Sequence, residues 1–488
     1  MGARTGREYL ERLDASRPDV IAGGERVSGG ISAHPAFRNV TASYARLYDM
    51  QHDPALRDVL TYESPATGDR VGMSFLVPKA AGDLERRRAA MSAWARVSGG
   101  MLGRTGDYLN SALMALSQAG DWFAQADQAF AQNIAGYYEL VREQDLLLTH
   151  TLIPPQVNRS LTGSQQGGGT LMARIVGQDD NGITVRGARM LATIGPIADE
   201  LLVFPSTVLR ATADDAPYAF AFAIPCDTPG LRFICRQSLD HTPHDGRTHQ
   251  DAPLSSRFEE MDAVVVFDDV RVPWARIFML GHPELCNGFY SATDAVVHMT
   301  HQVACRTTAK TEFILGLVSL LTEAIGIEQF GHVLEDIAEI VIALETARAM
   351  MRAAEADATV NEFGVFTPAW APLNACRNWY PKVYQRFPAI IRKLGASGLM
   401  ALPTEADLAG QGAADIDLYL QAKNLNATDR VRLFRLAWDA ALSDFAGRQA
   451  LYEYYFFGDP VRMAEALVRG YDREPYKERV RQFLRGQD

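Results

Sequence analysis

"LLLTHTLIPPQVNRS", residues 146–160, separates two kinds of sequence pattern. Before it, from about residue 81, apolar side chains such as Leu109, Leu113 and Leu116 recur at helical spacing. After it come short runs of β-branched residues divided by turn residues, which predict closely spaced strands. Helical spacing returns after Gly281. We therefore predict an α+β chain that is mostly α, with an N-terminal helical domain at 1–146, a central β-barrel at 147–278 and a C-terminal helical bundle and oligomerisation domain at 279–488.

Charge and composition exclude several classes of protein. The net charge of −11 offers no footprint for nucleic acid or an anionic membrane. Five cysteines without a CxxC pair indicate thiols in a reducing compartment, and the polar, turn-rich setting of His241, His244 and His249 favours a solvated loop over a metal site. The N-terminus lacks the apolar core of a signal peptide, and the apolar stretch 313–327 is interrupted by Glu323. We predict a cytoplasmic protein with no metal, no membrane contact and no nucleic-acid partner.

Two short motifs carry residues with possible chemistry. In "GRTGDYLN" (103–110), Arg104 and Tyr108 are four positions apart and would share one face of a helix. His150 lies where the helical pattern gives way to strands. By themselves, such an Arg/Tyr pair is most often a surface pair and such a histidine most often structural. The glycine-rich "GSQQGGGT" (163–170) matches neither a P-loop nor a dinucleotide fingerprint, so no site for NAD(P)H is predicted.

Five ordered motifs resemble the 4-hydroxyphenylacetate 3-hydroxylase family, the oxygenase components of two-component flavin monooxygenases. They are "FLVPKAAGDLERRRAAMSAWARVSGGMLGRTGDYLNSAL" (75–113), "LTHTLIPPQVNRS" (148–160), "FDDVRVPWARIFML" (267–280), "GASGLMALPTEADL" (395–408) and "FAGRQALYEYYFFGDPVRM" (445–463). The resemblance covers nearly the whole chain. It implies an acyl-CoA dehydrogenase-like fold, a homotetramer, FAD supplied as FADH2 by a separate flavin reductase, O2 as co-substrate and a small phenol as substrate.

The resemblance also implies site residues. Arg104, Tyr108 and His150 match the family's catalytic contacts on the phenol oxygen, and Ser206 with Thr207 match the pair that holds a side-chain carboxylate. His298 is a candidate base for the phenol, against a structural role. The predicted flavin contacts are His150, Thr151, Leu152, Gln156, Val157, Asn158, Arg159, Thr193, Arg448, Phe456, Phe457, Gly458 and Asp459.

The implied reaction is aromatic hydroxylation. A flavin C4a-hydroperoxide would transfer one oxygen atom of O2 to the carbon ortho to the hydroxyl, turning 4-hydroxyphenylacetate or a related para-substituted phenol into a catechol. A phenol has a pKa of about 10, so a permanent cation and hydrogen-bond donors at its oxygen would favour the reactive phenolate. Two alternatives stay open: a halophenol or tyrosine-derivative monooxygenase of the same family, and an acyl-CoA dehydrogenase-like flavoprotein without hydroxylase activity.

Overall fold

The computed structural model describes residues 2–158, 160–205, 209–210, 212 and 214–486. Its N-terminal part is mostly helical. The helices are α1 (Gly6–Ala15), α2 (Arg38–Met50), α3 (Arg57–Leu60), α4 (Ala81–Val97), α5 (Gly106–Gln118), α6 (Gly120–Ala124) and α7 (Gln128–Gln144). Helix α5 is buried over nearly its whole length, which fits its apolar composition.

The strands lie mainly in the middle of the chain. They are β1 (Asp19–Ala22), β2 (Glu25–Arg26), β3 (Thr61–Glu63), β4 (Arg70–Gly72), β5 (Leu148–Thr151), β6 (Arg174–Asp179), β7 (Gly182–Thr193), β8 (Glu200–Val203), β9 (Phe220–Pro225), β10 (Leu231–Cys235), β11 (Asp262–Pro273), β12 (Ile277–Leu280), β13 (Thr359–Val360) and β14 (Phe366–Thr367). Strand β5 begins inside the stretch where the helical pattern was predicted to end.

The prediction of a closed barrel is wrong. One sheet has the order β2-β1-β10-β11-β7-β6 and another the order β12-β9-β8-β5, so within the described residues each sheet keeps two edge strands. The sheets contact each other through Phe222 of β9 and Phe267 of β11, whose ring centroids are 6.3 Å apart. Closure would need unbroken pairing around a ring, and in the described part of the chain only the isolated bridge of Ile153 with Met190, between β5 and β7, joins the two sheets.

The larger sheet also takes strands from the N-terminal part. Strand β1 pairs in parallel with β10, and Asp19 lies opposite Arg232. The Arg232 Nε atom donates to an Asp19 carboxylate oxygen at 2.9 Å. Helices and strands are therefore not fully segregated along the chain, and the domain limits given above stay predictions.

Helices also fill the C-terminal part. Two short helices, α8 (Thr242–Asp245) and α9 (Ser255–Phe258), lie between β10 and β11. The helices after β12 are α10 (Pro283–Gly288), α11 (Ala295–Ile325), α12 (Gly331–Ala356), α13 (Trp370–Tyr384), α14 (Arg386–Gly395), α15 (Ala413–Tyr419), α16 (Ala427–Ala441), α17 (Asp444–Tyr455), α18 (Pro460–Gly470) and α19 (Glu474–Leu484). Helix α11 packs against α4, α5 and α12. In the part of the chain that is described, no helix combines the length and the apolar character that crossing a bilayer requires. The order of helices, sheets and helices confirms the predicted fold class, α+β and mostly α, of the acyl-CoA dehydrogenase-like type.

Candidate active site

The segment before α5 is held in place by one buried carboxylate. The backbone N–H groups of Gly103 and Arg104 donate to the two carboxylate oxygens of Glu260, at 2.8 and 2.7 Å. Tyr44 donates its hydroxyl to the same carboxylate at 3.0 Å. Arg104 therefore precedes the helix, which begins at Gly106, and the prediction that it shares a helical face with Tyr108 is wrong in detail. The two side chains nevertheless meet, because the Glu260 contacts turn the segment toward the helix start.

Three aromatic rings surround the Arg104 guanidinium. Its central carbon lies 4.5 Å from the ring centroid of Tyr108, 4.4 Å from that of Phe456 and 5.4 Å from that of Tyr452. Burial alone would lower the pKa of Arg104, but Tyr452, Tyr108 and Glu260 together raise it above its ordinary value. The group therefore stays charged. Its Nε and Nη1 atoms are buried and, among the described residues, have no hydrogen-bond partner.

His150 lies beside this cation. It is on β5, paired with Leu202 of β8, and its ring centroid is 6.0 Å from that of Tyr108 and 5.8 Å from that of Phe204. Burial, and then the charge on Arg104, hold the pKa of the imidazole well below its usual value. The histidine is therefore neutral, and its ring can donate one hydrogen bond and accept another. The structure brings Arg104, Tyr108 and His150 together in one cluster, and their catalytic roles stay predictions.

Helix α17 supplies a second row of site residues at a spacing of four. The helix carries Arg448 and Tyr452, and Phe456 follows its last residue. The ring centroids of Tyr452 and Phe456 lie 5.2 Å apart. Tyr452 was missed in the sequence analysis, although its spacing between two predicted site residues was a usable signal. Glu260 was missed as well, and no local pattern marks it.

Gly103 is needed because Tyr452 comes so close. A Cβ atom at this position would lie 2.2 Å from the Tyr452 hydroxyl oxygen and 2.4 Å from the ring carbon that carries it. Both distances are far below van der Waals contact, so any side chain here would push α17 away from Arg104. Glycine at 103 thus permits the aromatic enclosure of the cation.

A buried ion cluster attaches α17 to α11. Glu453 accepts from Arg306 at 2.5 and 2.9 Å and from Lys310 at 2.5 Å. Burial lowers the pKa of Lys310 to about 8, against the opposing effect of Glu453. Burial would raise the pKa of Glu453, but Arg306 and Lys310 lower it to about 2. The cluster keeps Tyr452 and Phe456 at their positions around Arg104.

The predicted flavin segment leaves β5 and runs past the end of β7. Ile153 forms a bridge with Met190, and the side chain of Thr151 donates to the Met190 carbonyl at 2.8 Å. Nearby apolar side chains are unusually exposed, Val157 by 69% and Leu191 by 49%. Leu191 also has a φ of +64°, a strained value for a leucine. An exposed apolar surface on strained backbone is typical of a ligand site.

Polar groups border this surface. Gln156 donates to the Pro154 carbonyl at 3.0 Å, and the Asn158 carboxamide accepts from Ser160. The Thr193 hydroxyl donates to Asp262 at 2.7 Å. Leu152 lies partly buried between the exposed segment and the core. Carboxamides and backbone groups beside apolar side chains form a donor set that suits a flat ring system with a polar edge.

The predicted C-terminal flavin contacts lie in different surroundings. Arg448 is committed to Asp262, to which it donates at 2.9 and 3.1 Å, and it also lies 3.5 Å from Glu260. Phe456 belongs to the Arg104 cluster. Beyond it, Phe457 packs on Phe456 at 4.8 Å and Gly458 has a φ of +100°, while the Asp459 carboxylate caps α18 by accepting from Val461 and Arg462.

The remaining predicted residues lie elsewhere or outside the described residues. His298, on α11, has its Nε2 atom 3.4 Å from the Thr367 hydroxyl, and burial with Arg87 and His301 holds its pKa well below the usual value. In the described part of the chain, no hydrogen bond or ring contact joins it to Arg104, Tyr108 or His150. Arg159, Ser206 and Thr207 lie outside the described residues.

Comparison with known proteins finds relatives that match the chain over nearly its whole length. Two family models match, 4-hydroxyphenylacetate 3-hydroxylase N terminal over residues 5–279 and C terminal over residues 286–485. The 4-hydroxyphenylacetate 3-monooxygenase oxygenase component of Geobacillus sp. (strain PA-9) is 50% identical over 100% of this chain and 97% of its own length. The protein of the same name from Thermus thermophilus is 49% identical, over 99% of this chain and 98% of its own. A crystal structure of such an oxygenase component with FAD and 4-hydroxyphenylacetate superposes with a TM-score of 0.94, at 49% identity and 99% coverage of both chains.

Proposed function

Since the chain belongs to the 4-hydroxyphenylacetate 3-hydroxylase family, we propose that it is the oxygenase component of a two-component flavin-dependent monooxygenase. It adds one oxygen atom of O2 to the ring carbon ortho to a phenol hydroxyl, and 4-hydroxyphenylacetate or a related para-substituted phenol becomes a catechol. The observation that carries this proposal is the cluster in which a charged Arg104, with two buried donors that have no partner among the described residues, lies beside Tyr108 and a neutral His150.

The residues of the chain fit FAD in its reduced form, FADH2. The fit rests on the exposed Val157 and Leu191, the strained backbone at Leu191, and the carboxamides of Gln156 and Asn158. The residues that would hold the cofactor are His150 to Leu152, Gln156 to Arg159, Thr193 and the segment from Phe456 to Asp459, with Arg448 acting through Asp262. When bound, the reduced flavin supplies activated dioxygen.

The chain's own side chains act on the phenol. Arg104 places its Nε and Nη1 donors and a permanent positive charge at the phenol oxygen, which favours the anionic form. Tyr108 donates its hydroxyl to the same oxygen. His150, neutral in its buried position, donates a hydrogen bond from a ring nitrogen to the same oxygen, and its lowered pKa makes it a weak acceptor for the phenolic proton. Greater phenolate character makes the ortho carbon a better nucleophile toward the oxygen that it receives.

The enclosure also excludes water from the reacting atoms. The rings of Phe204, Tyr108 and Phe456 form a continuous row of contacts around His150 and Arg104. Water and stray protons would divert activated oxygen to hydrogen peroxide, so an aromatic lining favours transfer to the ring. Ser206 and Thr207 are proposed to contact the far end of the substrate, and His298 is a weaker candidate for a base because it lies among other partners.

The proposal includes partners and an assembly. A separate flavin reductase supplies the reduced cofactor, and the protein acts in the cytoplasm. A homotetramer is supported by the large apolar side chains that α18 and α19 expose, among them Val461, Phe483 and Leu484.

Product analysis tests the proposed function. The protein is mixed with O2, a reductase that generates FADH2, and 4-hydroxyphenylacetate, and the catechol and hydrogen peroxide are both quantified by chromatography and a peroxide assay. We expect the amount of catechol formed to equal the amount of reduced flavin consumed minus the amount of hydrogen peroxide formed. A reaction without the oxygenase is the control. Peroxide without catechol, for every phenol tried, would favour the flavoprotein that lacks hydroxylase activity.

A further inference from the structure

The Arg104 guanidinium depends on its backbone for its position. Its Nε and Nη1 atoms have no hydrogen-bond partner among the described residues, and it packs on the rings of Tyr108 and Phe456. A ring face holds a guanidinium less precisely than a directed hydrogen bond does. Arg104 belongs to the connection between α4 and α5, residues 98–105. The position of this connection therefore decides where the positive charge meets the phenol oxygen.

The connection packs closely on helix α11. Gly100 has a φ of +72°, in the left-handed region that favours glycine. A Cβ atom at this position would lie 2.6 Å from the Cβ atom of Lys310 and 2.7 Å from the carbonyl oxygen of Arg306. Both distances are too short for van der Waals contact, so another residue would push the connection away from α11. The close contact with α11 thus requires glycine at 100.

Buried side chains hold the backbone of the connection at both ends. The Arg306 Nη1 atom donates to the carbonyl oxygen of Gly100 at 3.2 Å. The Gln449 Nε2 atom donates to the carbonyl oxygen of Met101 at 3.0 Å. At the end nearer α5, the Glu260 carboxylate accepts from two backbone N–H groups, as described above. Side chains from distant parts of the sequence therefore bind four backbone groups of one short connection.

Gln449, on α17, joins the connection to the buried ion cluster. It is 1% exposed, and its Oε1 atom accepts from the Lys310 ammonium at 2.7 Å. Both ends of the carboxamide are therefore used, one as an acceptor and the other as a donor. The opposite orientation would place the NH2 group against an ammonium and the amide oxygen against a carbonyl oxygen, and both contacts would be repulsive. Lys310 thus orients Gln449, and Gln449 fixes the backbone at Met101.

On the basis of the proposed function, we propose that Gln449 is a positioning residue for hydroxylation. It acts through the backbone of the connection and keeps the Arg104 guanidinium at the place of the phenol oxygen before the substrate binds. A charge already in place needs no rearrangement as the phenolate forms, whereas a displacement of about 1 Å can lower a rate about 100-fold. A glutamine with a merely structural role would contribute to stability and leave the pKa of the bound phenol unchanged.

Two substitutions separate position from charge. Gln449→Glu keeps an acceptor for Lys310 and loses the donor to Met101. Its added carboxylate offsets a surplus of positive charge, because Arg306 and Lys310 face the single carboxylate of Glu453, so this variant is expected to fold. Gln449→Met is uncharged and loses both hydrogen bonds. If position matters, both variants affect the phenol, and if only charge matters, Gln449→Glu alone does.

The main measurement is the pKa of a bound ortho-nitrophenol analogue of the substrate, read from the visible absorbance of its anion without reduced flavin. We expect this pKa to rise by about one unit in both variants, because the displaced cation stabilises the phenolate less. In the coupled reaction, kcat for hydroxylation should fall about tenfold. Gln51→Met is the matched control, because Gln51 is 2% exposed and its carboxamide donates to Asp145, not to the connection. It should leave both values at those of the wild type.

Hydrogen exchange tests the same inference on the unsubstituted protein, so it decides even where a variant does not fold. Mass spectrometry follows the backbone amides of residues 98–105 with and without the nitrophenol analogue. We expect them to be protected before the analogue binds and to gain little protection afterwards. In Gln449→Glu, the same amides should exchange faster.

Three results would overturn the proposal. They are an unchanged pKa of the bound analogue in Gln449→Met, a rise confined to Gln449→Glu, and fast wild-type exchange that slows only when the analogue binds. The last result would show that the substrate, not Gln449, positions the connection. A failure of the proposed function looks different. If the wild-type protein forms no catechol from any phenol, the function itself is wrong, whereas normal hydroxylation by Gln449→Met removes only the role of Gln449.

Discussion

Replacing Arg104 with methionine removes the charge that the proposed mechanism requires and keeps an unbranched side chain of similar length. In the structure the guanidinium is enclosed by Tyr108, Tyr452 and Phe456, and methionine packs well against aromatic rings. The backbone N–H of residue 104 would still donate to Glu260. The variant is therefore expected to fold and to lose only the contact with the phenol oxygen.

The size of the effect follows from the free donors. Nε and Nη1 are both buried without a partner among the described residues, so at least one charge-assisted hydrogen bond to the phenol oxygen is available. Such a bond contributes about 3 kcal/mol at the upper end of its range. Since about 1.4 kcal/mol corresponds to a factor of ten, kcat/KM for hydroxylation should fall about 100-fold. The same energy should raise the pKa of the bound phenol by about two units.

Two assays check this expectation. The first compares catechol yield and peroxide yield in the coupled reaction, where Arg104→Met should shift the products toward peroxide. The second titrates a bound ortho-nitrophenol analogue of the substrate, whose anion absorbs visible light, and needs no reduced flavin. Arg7→Met is the control, because the Arg7 side chain is 82% exposed. An unchanged pKa of the bound analogue in Arg104→Met would refute the electrostatic role, whatever the turnover.

Three further changes have expected outcomes. Tyr108→Phe keeps the ring but removes one donor, so kcat/KM should fall about tenfold; an unchanged value would contradict its contact with the phenol. Glu453→Gln leaves Arg306 and Lys310 without a counter-ion and should lower the free energy of unfolding in urea by about 3–5 kcal/mol, whereas the exposed Glu474→Gln should leave it essentially unchanged. Because the folded pKa of His150 is well below the unfolded value of about 6.5, the unfolded chain binds more protons below that pH and stability falls on acidification. His150→Asn should reduce this slope by up to about 1.4 kcal/mol per pH unit, and equal slopes would show that the histidine is not buried neutral.

Much of the site could be predicted from local sequence. The resemblance of the motifs, rather than the spacing, predicted that Arg104, Tyr108 and His150 belong to one site, and the structure brings their side chains together. The spacing of four that relates Arg448, Tyr452 and Phe456 was also readable, although only two of them were selected. Such patterns are local because a helix repeats every 3.6 residues and a strand every two.

What surrounds each charge was decided only by the tertiary structure. Glu260 accepts a hydrogen bond from the backbone N–H of Arg104, which lies 156 residues away in the sequence. Asp262 accepts one from the side chain of Arg448, which lies 186 residues away. Neither pairing has a local signal, because it depends on which distant segments fold against each other.

The sequence by itself determined the order of helices and strands and, through its resemblance to the family, the residues that are predicted to contact a phenol. The tertiary structure decided that the central strands of the described residues form two open sheets rather than a closed barrel, and that the buried Arg104 keeps two donors without a hydrogen-bond partner among those residues. The physical reason is the same in both cases. Periodicity and residue chemistry are properties of neighbouring positions, whereas sheet closure, burial and the pairing of charges arise only when remote parts of the chain come into contact.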